Sequence, residues 1–248
     1  MKKFLIALSF FTRIPVHIKS EVSEDEFYTS MTLIPWVGLL IGLILYGVAY
    51  GGEYLTIQSE VLSFILLCVY VWITGGLHID GFIDSIDAIL SNRDREKMLD
   101  IMKDSRIGAF GAIGIVLLLL GYFIIFKHST KEVLLVMPMI GRSCALVAAS
   151  LSHYAKKTND LGKKFIESIG KKQGILVILF TILVSGLVNI MYIFTYVICL
   201  CVSYFFVNLF RNKLSGMTGD TVGMLIEINQ VVFLFTTYIL VMLLGGVL

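Results

Sequence analysis

Three aspartates stand close together in the run G-G-L-H-I-D-G-F-I-D-S-I-D-A, from Gly75 to Ala88. Their i, i+4, i+7 spacing places Asp80, Asp84 and Asp87 within roughly 60° of arc on one helix face, at about 100° per residue. Ile79, Phe82, Ile83 and Ile86 occupy the other directions. Like charges at this spacing repel by about a few tenths of a kcal/mol per pair in water, and by more near lipid. A bound cation removes that cost. Mg²⁺ takes carboxylate oxygens and often completes its shell with substrate phosphates, so the stripe predicts a Mg²⁺ site for a phosphorylated substrate. A solvated acidic helix face is the bland alternative.

Two further blocks extend the pattern. Asp104 opens D-S-R-I-G-A-F-G-A-I-G, where Ser105 and Arg106 offer donors to a phosphate and Gly108, Gly111 and Gly114 leave one helical side bare. Helix packing by the glycines and a topological anchor at Arg106 are the plain alternatives. S-G-M-T-G-D-T, Ser215 to Thr221, carries Asp220 with the hydroxyls of Thr218 and Thr221 nearby, and reads equally as a loop and helix cap. Arg142 lies midway along an apolar stretch, where an unpaired charge is costly. A carboxylate of the acidic cluster, a substrate phosphate or a structural ion pair would satisfy it, and Glu227 raises the same question. His78 reads as an acid or base, or as a hydrogen-bonded structural histidine. By contrast Asp94, Glu96 and Asp100 alternate with Arg93, Arg95 and Lys97 as in a solvated loop.

The elements that must position these groups belong to a membrane protein. Of 248 residues 57% are apolar and 15% charged, against about 25% charged in an ordinary soluble domain. Stretches near 20 residues run from Met31 to Tyr50, Val61 to Leu77, Ile107 to Phe126 and Val133 to Leu151. Ile175 to Phe210 is long enough for two spans with a turn near Asn189, and Val231 to Leu248 makes a seventh. The expected fold is therefore all-α: a polytopic helical bundle of about seven transmembrane helices, one domain over residues 1–248. The run from Met1 to Phe11 is too short for a signal peptide and lacks a cleavage site, so an interfacial helix is expected there.

Basic residues orient the bundle. Alternate loops gather 17 of the 20 Lys and Arg on one side, including Lys156 and Lys157, while Lys127 and Lys131 fall on the other. The loaded side is expected to be cytosolic, and all five candidate acids lie there. The formal net charge of +2 and the absence of a nucleic-acid motif argue against a nucleic-acid partner. Cys68, Cys144, Cys199 and Cys201 sit in apolar stretches without ligand spacing and are expected to be buried thiols. Gly38 and Gly42, and Gly141, Ala145 and Ala149, recur four apart and are expected to let helices pack closely.

These residues also carry a resemblance. F-F-T-R-I-P-V (10–16), I-P-W-V-G-L-L-I-G (34–42), the Gly75 to Ala88 block, I-M-K-D-S-R-I-G-A-F-G (101–111), G-R-S (141–143) and T-G-D-T-V-G (218–223) resemble the cobalamin synthase family, adenosylcobinamide-GDP ribazoletransferase. The resemblance implies an enzyme of the bacterial cytoplasmic membrane with its site on the cytosolic face. In this reaction α-ribazole, or its 5′-phosphate, displaces GMP from adenosylcobinamide-GDP late in coenzyme B12 assembly, with Mg²⁺ as cofactor. The ribose hydroxyl attacks the phosphorus nearer the cobinamide.

Together the motif positions assign Asp80, Asp84, Asp87 and Asp104 to the metal, with Asp84, Asp87 and Asp104 catalytic and Asp87 either a further ligand or the base. His78, Ser105, Arg106, Arg142, Thr218 and Asp220 are assigned to substrate. The partners implied are the two substrates and membrane lipid, with self-association left open. Family members often carry an acid three residues after the position of Glu227, and this chain has Gln230 there. A CDP-alcohol phosphotransferase or a prenyltransferase would share the Asp-rich cytosolic motif, but the long G-G-L-H-I-D-G and D-S-R-I-G-A-F-G blocks argue against both, and a corrinoid transporter is the non-enzymatic alternative.

Overall fold

The computed structural model describes residues 1–156 and 161–245, and every regular element within them is helical. Two short helices, α1 (Lys2–Phe11) and α2 (Glu24–Ser30), lead through a 3₁₀ turn into α3 (Ile34–Tyr54). Then come α4 (Ser59–Thr74), α5 (Leu77–Leu90), α6 (Arg95–Ile101), α7 (Ala109–Phe126) and α8 (Lys131–Ser150). The chain closes with α9 (Leu161–Ser168), α10 (Lys171–Val188), α11 (Met191–Leu214) and α12 (Gly219–Leu243). The protein is a polytopic membrane helical bundle: α3, α7, α8, α10, α11 and α12 are each long and apolar enough to cross.

The candidate seventh crossing is α4, which matches these in length and apolar composition only together with α5. Its first turn holds Glu60, paired with Lys127 after α7, and near its other end Ile73 O accepts from Arg13 N at 2.7 Å. The expected span to Leu77 stops earlier, because Gly75 (φ 63°) and Gly76 (φ 71°) adopt left-handed backbone and turn the chain by 90° into α5. Lying at 90° to α4, the 14-residue α5 does not run on through the layer in line with it. Both its ends meet basic residues counted on the Lys- and Arg-rich side: Arg13 packs on Gly75, and Lys213 donates to Ile89 O at 3.3 Å. Thus α5 does not cross, and its acids lie outside the spanning segments.

The core forms around α8, whose apolar stretch is 89% buried against 22% for α10. It contacts α3, α10, α11 and α12. Gly38 and Gly42 let α3 approach the α8 backbone at Pro138 and Leu135, where a Cβ would collide, as the small-residue spacing leads one to expect. The break between α10 and α11 falls at Asn189, whose side chain accepts from Met191 N at 2.9 Å. The last helix begins at Gly219 rather than Val231, since the capping box of Thr218 and Thr221 starts it inside the polar motif. Residues 246–248 of the expected last span, and Lys157, lie outside the described residues. Cys144 and Cys199 are buried, but Cys68 and Cys201 face outward from the bundle, which for a membrane helix satisfies an apolar side chain equally well.

Basic side chains close the loops of one face. Arg95 donates to Leu214 O at 2.8 Å and Arg211 to Leu151 O at 3.2 Å, satisfying carbonyls that helix ends leave unpaired, and Arg95 also donates to Ala155 O in the connection after α8. On the opposite face Lys127 and Lys131 pair with Glu60 and Glu53.

Candidate active site

Close packing of α5 on the start of α12 creates the densest group of acids. A Cβ on Gly81 would stand 2.8 Å from Asp220 O, and one on Gly223 3.0 Å from His78 O. Asp220 is thereby brought beside Asp80 and Asp84. Asp84 is half-buried, and its carboxyl is raised to about 6, first by burial and then by Asp80, Asp220 and Asp87, with Lys156 opposing. Lys156 Nζ lies 3.3 Å from Asp220 Oδ2. Thr218, expected at the substrate, is fully buried as the N-cap of α12: it accepts from Thr221 N at 3.2 Å, and its hydroxyl lies 3.3 Å from Asp220 Oδ2. Its structural work is to start the helix and orient Asp220.

The other two acids are engaged elsewhere. Asp87 accepts from Gly108 N and Gly111 N, both at 2.8 Å, one through each carboxylate oxygen. It therefore holds the amino-terminal end of α7, where backbone N–H groups have no helical partner and the dipole favours an anion. The glycines of the second block serve this contact, because a Cβ at Gly108 or Gly111 would strike the carboxylate. Replacing Asp87 by alanine should cost about 1–2 kcal/mol of stability, the usual loss of a cap, while Asp87→Asn keeps an acceptor and costs less. Thermal unfolding of both variants in detergent checks this; an unchanged midpoint for Asp87→Ala would remove the anchoring role.

Asp104 faces solvent and grips Arg106 through two oxygens, at 3.0 and 2.6 Å, and this contact holds its carboxyl down at about 2. Ser105 beside it is exposed. Among the described residues no three or more His, Cys, Asp or Glu side chains stand close enough to hold a metal by themselves. The expected four-carboxylate set is thus not preassembled: Asp87 is turned to α7 and Asp104 to Arg106, and Asp220 joins Asp80 and Asp84 instead.

Successive acids on α5 face different spaces. Asp80, with Asp220, lines a cavity of about 210 Å³ bounded by Phe10 and Phe11 of α1, Phe27 of α2 and Phe165 of α9. Asp84 and Asp87 line an open cleft of about 610 Å³ on the α7 side, shared with Asp104, Arg93 and Arg106.

Behind the aromatic cavity lies a buried polar network. Arg142 is fully buried, with Nη1 donating to Pro138 O at 3.1 Å and Nη2 3.5 Å from His78 Nδ1. Glu227 accepts from Tyr70 Oη at 2.8 Å and Tyr122 Oη at 2.7 Å, and Gln230 Nε2 donates to the same two hydroxyls at 2.7 and 3.1 Å. Arg142 lines none of the described cavities, so its neighbours here are His78 and this network rather than the acids of α5.

The full-length pattern has relatives. A model of the family described as cobalamin-5-phosphate synthase matches residues 3–238. The chain belongs to this family. Proteins named adenosylcobinamide-GDP ribazoletransferase are similar to it over nearly their whole lengths. The one from Alkaliphilus oremlandii is 39% identical, covering 97% of this chain and 98% of its own. The one from Acetivibrio thermocellus is 36% identical, covering 96% and 98%, and that from Clostridium acetobutylicum 32%, covering 96% of each. No solved structure matches the chain.

In this cobalamin-5-phosphate synthase family member, sequence reasoning did not single out Phe27, Phe165, Lys156, Tyr70 or Tyr122. The aromatics carry no polar signal in a chain so rich in apolar residues. The unpaired charges of Arg142 and Glu227 were the available clue to a buried polar network, but nothing in the spacing named the two tyrosines from α4 and α7.

Proposed function

We propose that this family member is an adenosylcobinamide-GDP ribazoletransferase that joins adenosylcobinamide phosphate to α-ribazole, or to its 5′-phosphate, and releases GMP. The observation that carries the reading is the position of the Asp80, Asp84 and Asp220 cluster between an arginine-bearing open cleft and an aromatic cavity. A two-substrate transfer needs such a division, with an anionic diphosphate on one side and a nucleoside on the other. The names of the full-length relatives agree with it.

Mg²⁺ suits these residues. It binds through one or two carboxylates and fills the rest of its shell with water and phosphate oxygens, so a three-residue cage is not required. Asp80 and Asp220 would hold it, beside an Asp84 whose raised carboxyl records uncompensated negative charge. When bound, the ion neutralises the phosphoryl oxygens and the departing phosphate of GMP. Arg93 and Arg106 contact the diphosphate in the cleft, while Asp84 accepts the proton of the attacking ribose hydroxyl, for which a carboxyl near 6 is well matched to neutral pH. Asp87 positions the start of α7, and with it the cleft wall. In this reading the site faces the cytosol from the bacterial cytoplasmic membrane, supported by the 17 basic residues of the loops on that side.

The test is direct. The purified chain in nanodiscs, given adenosylcobinamide-GDP, α-ribazole and Mg²⁺, should release one GMP for each corrinoid product and stop on addition of EDTA. Binding of both substrates without GMP would replace the enzyme by a carrier.

A further inference from the structure

Resting on that reading, we infer that the aromatic cavity between α1, α2, α5, α9 and α12 holds the base of the nucleophile, so that ribazole enters from the side of α5 opposite the diphosphate. Ribazole is the riboside of a flat, bicyclic, largely apolar base with one free ring nitrogen.

The lining has the matching chemistry. Phe10 sets its ring edge-to-face against Phe27, with centroids 5.3 Å apart at 88°, and against Phe11 at 4.8 Å and 89°. Phe165 of α9 adds a fourth ring to the wall. Such rings offer faces and edges to another aromatic system, worth about 0.5–1.5 kcal/mol per pair beyond the area buried. Among the described lining residues there is no Lys or Arg, whereas the cleft beyond α5 has Arg93 and Arg106. An anionic nucleotide is therefore favoured in the cleft and a neutral base in the cavity. At about 210 Å³ the cavity has room for a bicyclic ring but not for a corrinoid macrocycle.

His78 supplies the polar contact. His78 is one of the lining residues, is 4% exposed, and has its Nε2 buried without a hydrogen-bond partner among the described residues. The guanidinium of Arg142 can only donate, so the Nδ1 facing it at 3.5 Å is the acceptor nitrogen and the ring proton is assigned to Nε2. A partnerless N–H donor on a residue of the aromatic slot matches the single ring-nitrogen acceptor of the base, which uncovers it on entering. Asp80 and Asp220 in the same wall then place the attached ribose next to the acids that serve the reaction.

The experiment uses the full chain in nanodiscs with Phe27→Ala and, separately, Phe10→Ala, both at partly exposed rings. The KM for α-ribazole should rise at least tenfold, while the KM for adenosylcobinamide-GDP stays within twofold and kcat at saturation is kept. Phe27→Leu, which keeps apolar bulk without the ring, should give a smaller rise and covers the case in which the alanine variant does not fold. Equilibrium dialysis of α-ribazole alone should show the same loss of affinity, and His78→Phe, which removes the donor, should weaken it further. A rise confined to adenosylcobinamide-GDP would give the cavity to the other substrate. GMP release with neither KM altered would also overturn the assignment and point to an acyl chain in the cavity. Should the wild type bind α-ribazole yet release no GMP, the proposed reaction fails, while the dialysis series still decides the cavity.

Discussion

Asp84→Asn is expected to abolish GMP release while making the metal-free protein more stable at neutral pH. Loss of a general base costs about 10²–10⁴ in rate. Activity within about tenfold of wild type, a barrier change of only ~1.4 kcal/mol, would exclude Asp84 from the chemistry. The stability half follows from crowding. The Asp84 carboxyl is raised from its ordinary 3.8 to about 6 by burial and by Asp80, Asp220 and Asp87, so the fold favours its protonated form. Its ionisation therefore removes stability progressively as pH rises from about 4 to about 6, and the full penalty stands above that window. Two pH units correspond to about 3 kcal/mol, but a half-buried group is screened by solvent, and about 1 kcal/mol is the expected effect. Asparagine is never charged and escapes it. Thermal unfolding in EDTA at pH 8 should show the variant ahead by ~2–4 °C, with the gap closing near pH 4. Adding Mg²⁺ at pH 8 should raise the wild type more than the variant. A variant less stable than wild type at pH 8 would mean that Asp84 makes favourable structural contacts instead.

That pair of effects also shows what a sequence can convey. The stripe of Asp80, Asp84 and Asp87 was legible because helical periodicity is local, and the bundle was legible because lipid demands apolar stretches of fixed length. The basic loops placed Asp220 on the same face as the α5 acids across 130 residues. What stayed hidden is set by packing between helices. Nothing in the spacing says that Asp87 faces the amino-terminal end of α7 while Asp80, two turns earlier, faces the aromatic cavity. The 90° turn at Gly75 and Gly76 rotates α5 out of line with α4, so a face continuous in sequence looks into two spaces. A phenylalanine that lines a cavity and one that meets lipid are the same letter in an apolar stretch: Phe165 is buried and Phe205 exposed. The charge of Arg142 predicted a partner but not its identity, because the residues around it come from α4, α5, α7 and α12 as well as from its own helix α8.

Glu227→Ala should be among the most destabilising single changes in the chain, costing about 3–5 kcal/mol, the range found when one member of a buried charge network is removed. Glu227 is fully buried and accepts from Tyr70 and Tyr122, tying α12 to α4 and α7, and it lies within the electrostatic reach of Arg142. Alanine would leave two phenol hydroxyls short of their acceptor and a buried guanidinium short of its counter-charge. Glu227→Gln keeps one acceptor oxygen but not the charge and should fall between, at about 1–2 kcal/mol. Gln230→Glu tests the same box from its other side: it removes the amide that donates to both hydroxyls, at 2.7 and 3.1 Å, and sets a second carboxyl against the first. Two buried carboxyls then face each other with no amide between them, so this variant too should be less stable than wild type. Denaturation in detergent measures all three variants, and GMP release per folded molecule separates stability from catalysis. Glu227 and Gln230 line neither the cleft nor the aromatic cavity, so Glu227→Gln should keep turnover within about tenfold. A folded Glu227→Gln protein with no GMP release would instead place Glu227 in the reaction, with Arg142 and His78 as its route to the substrate.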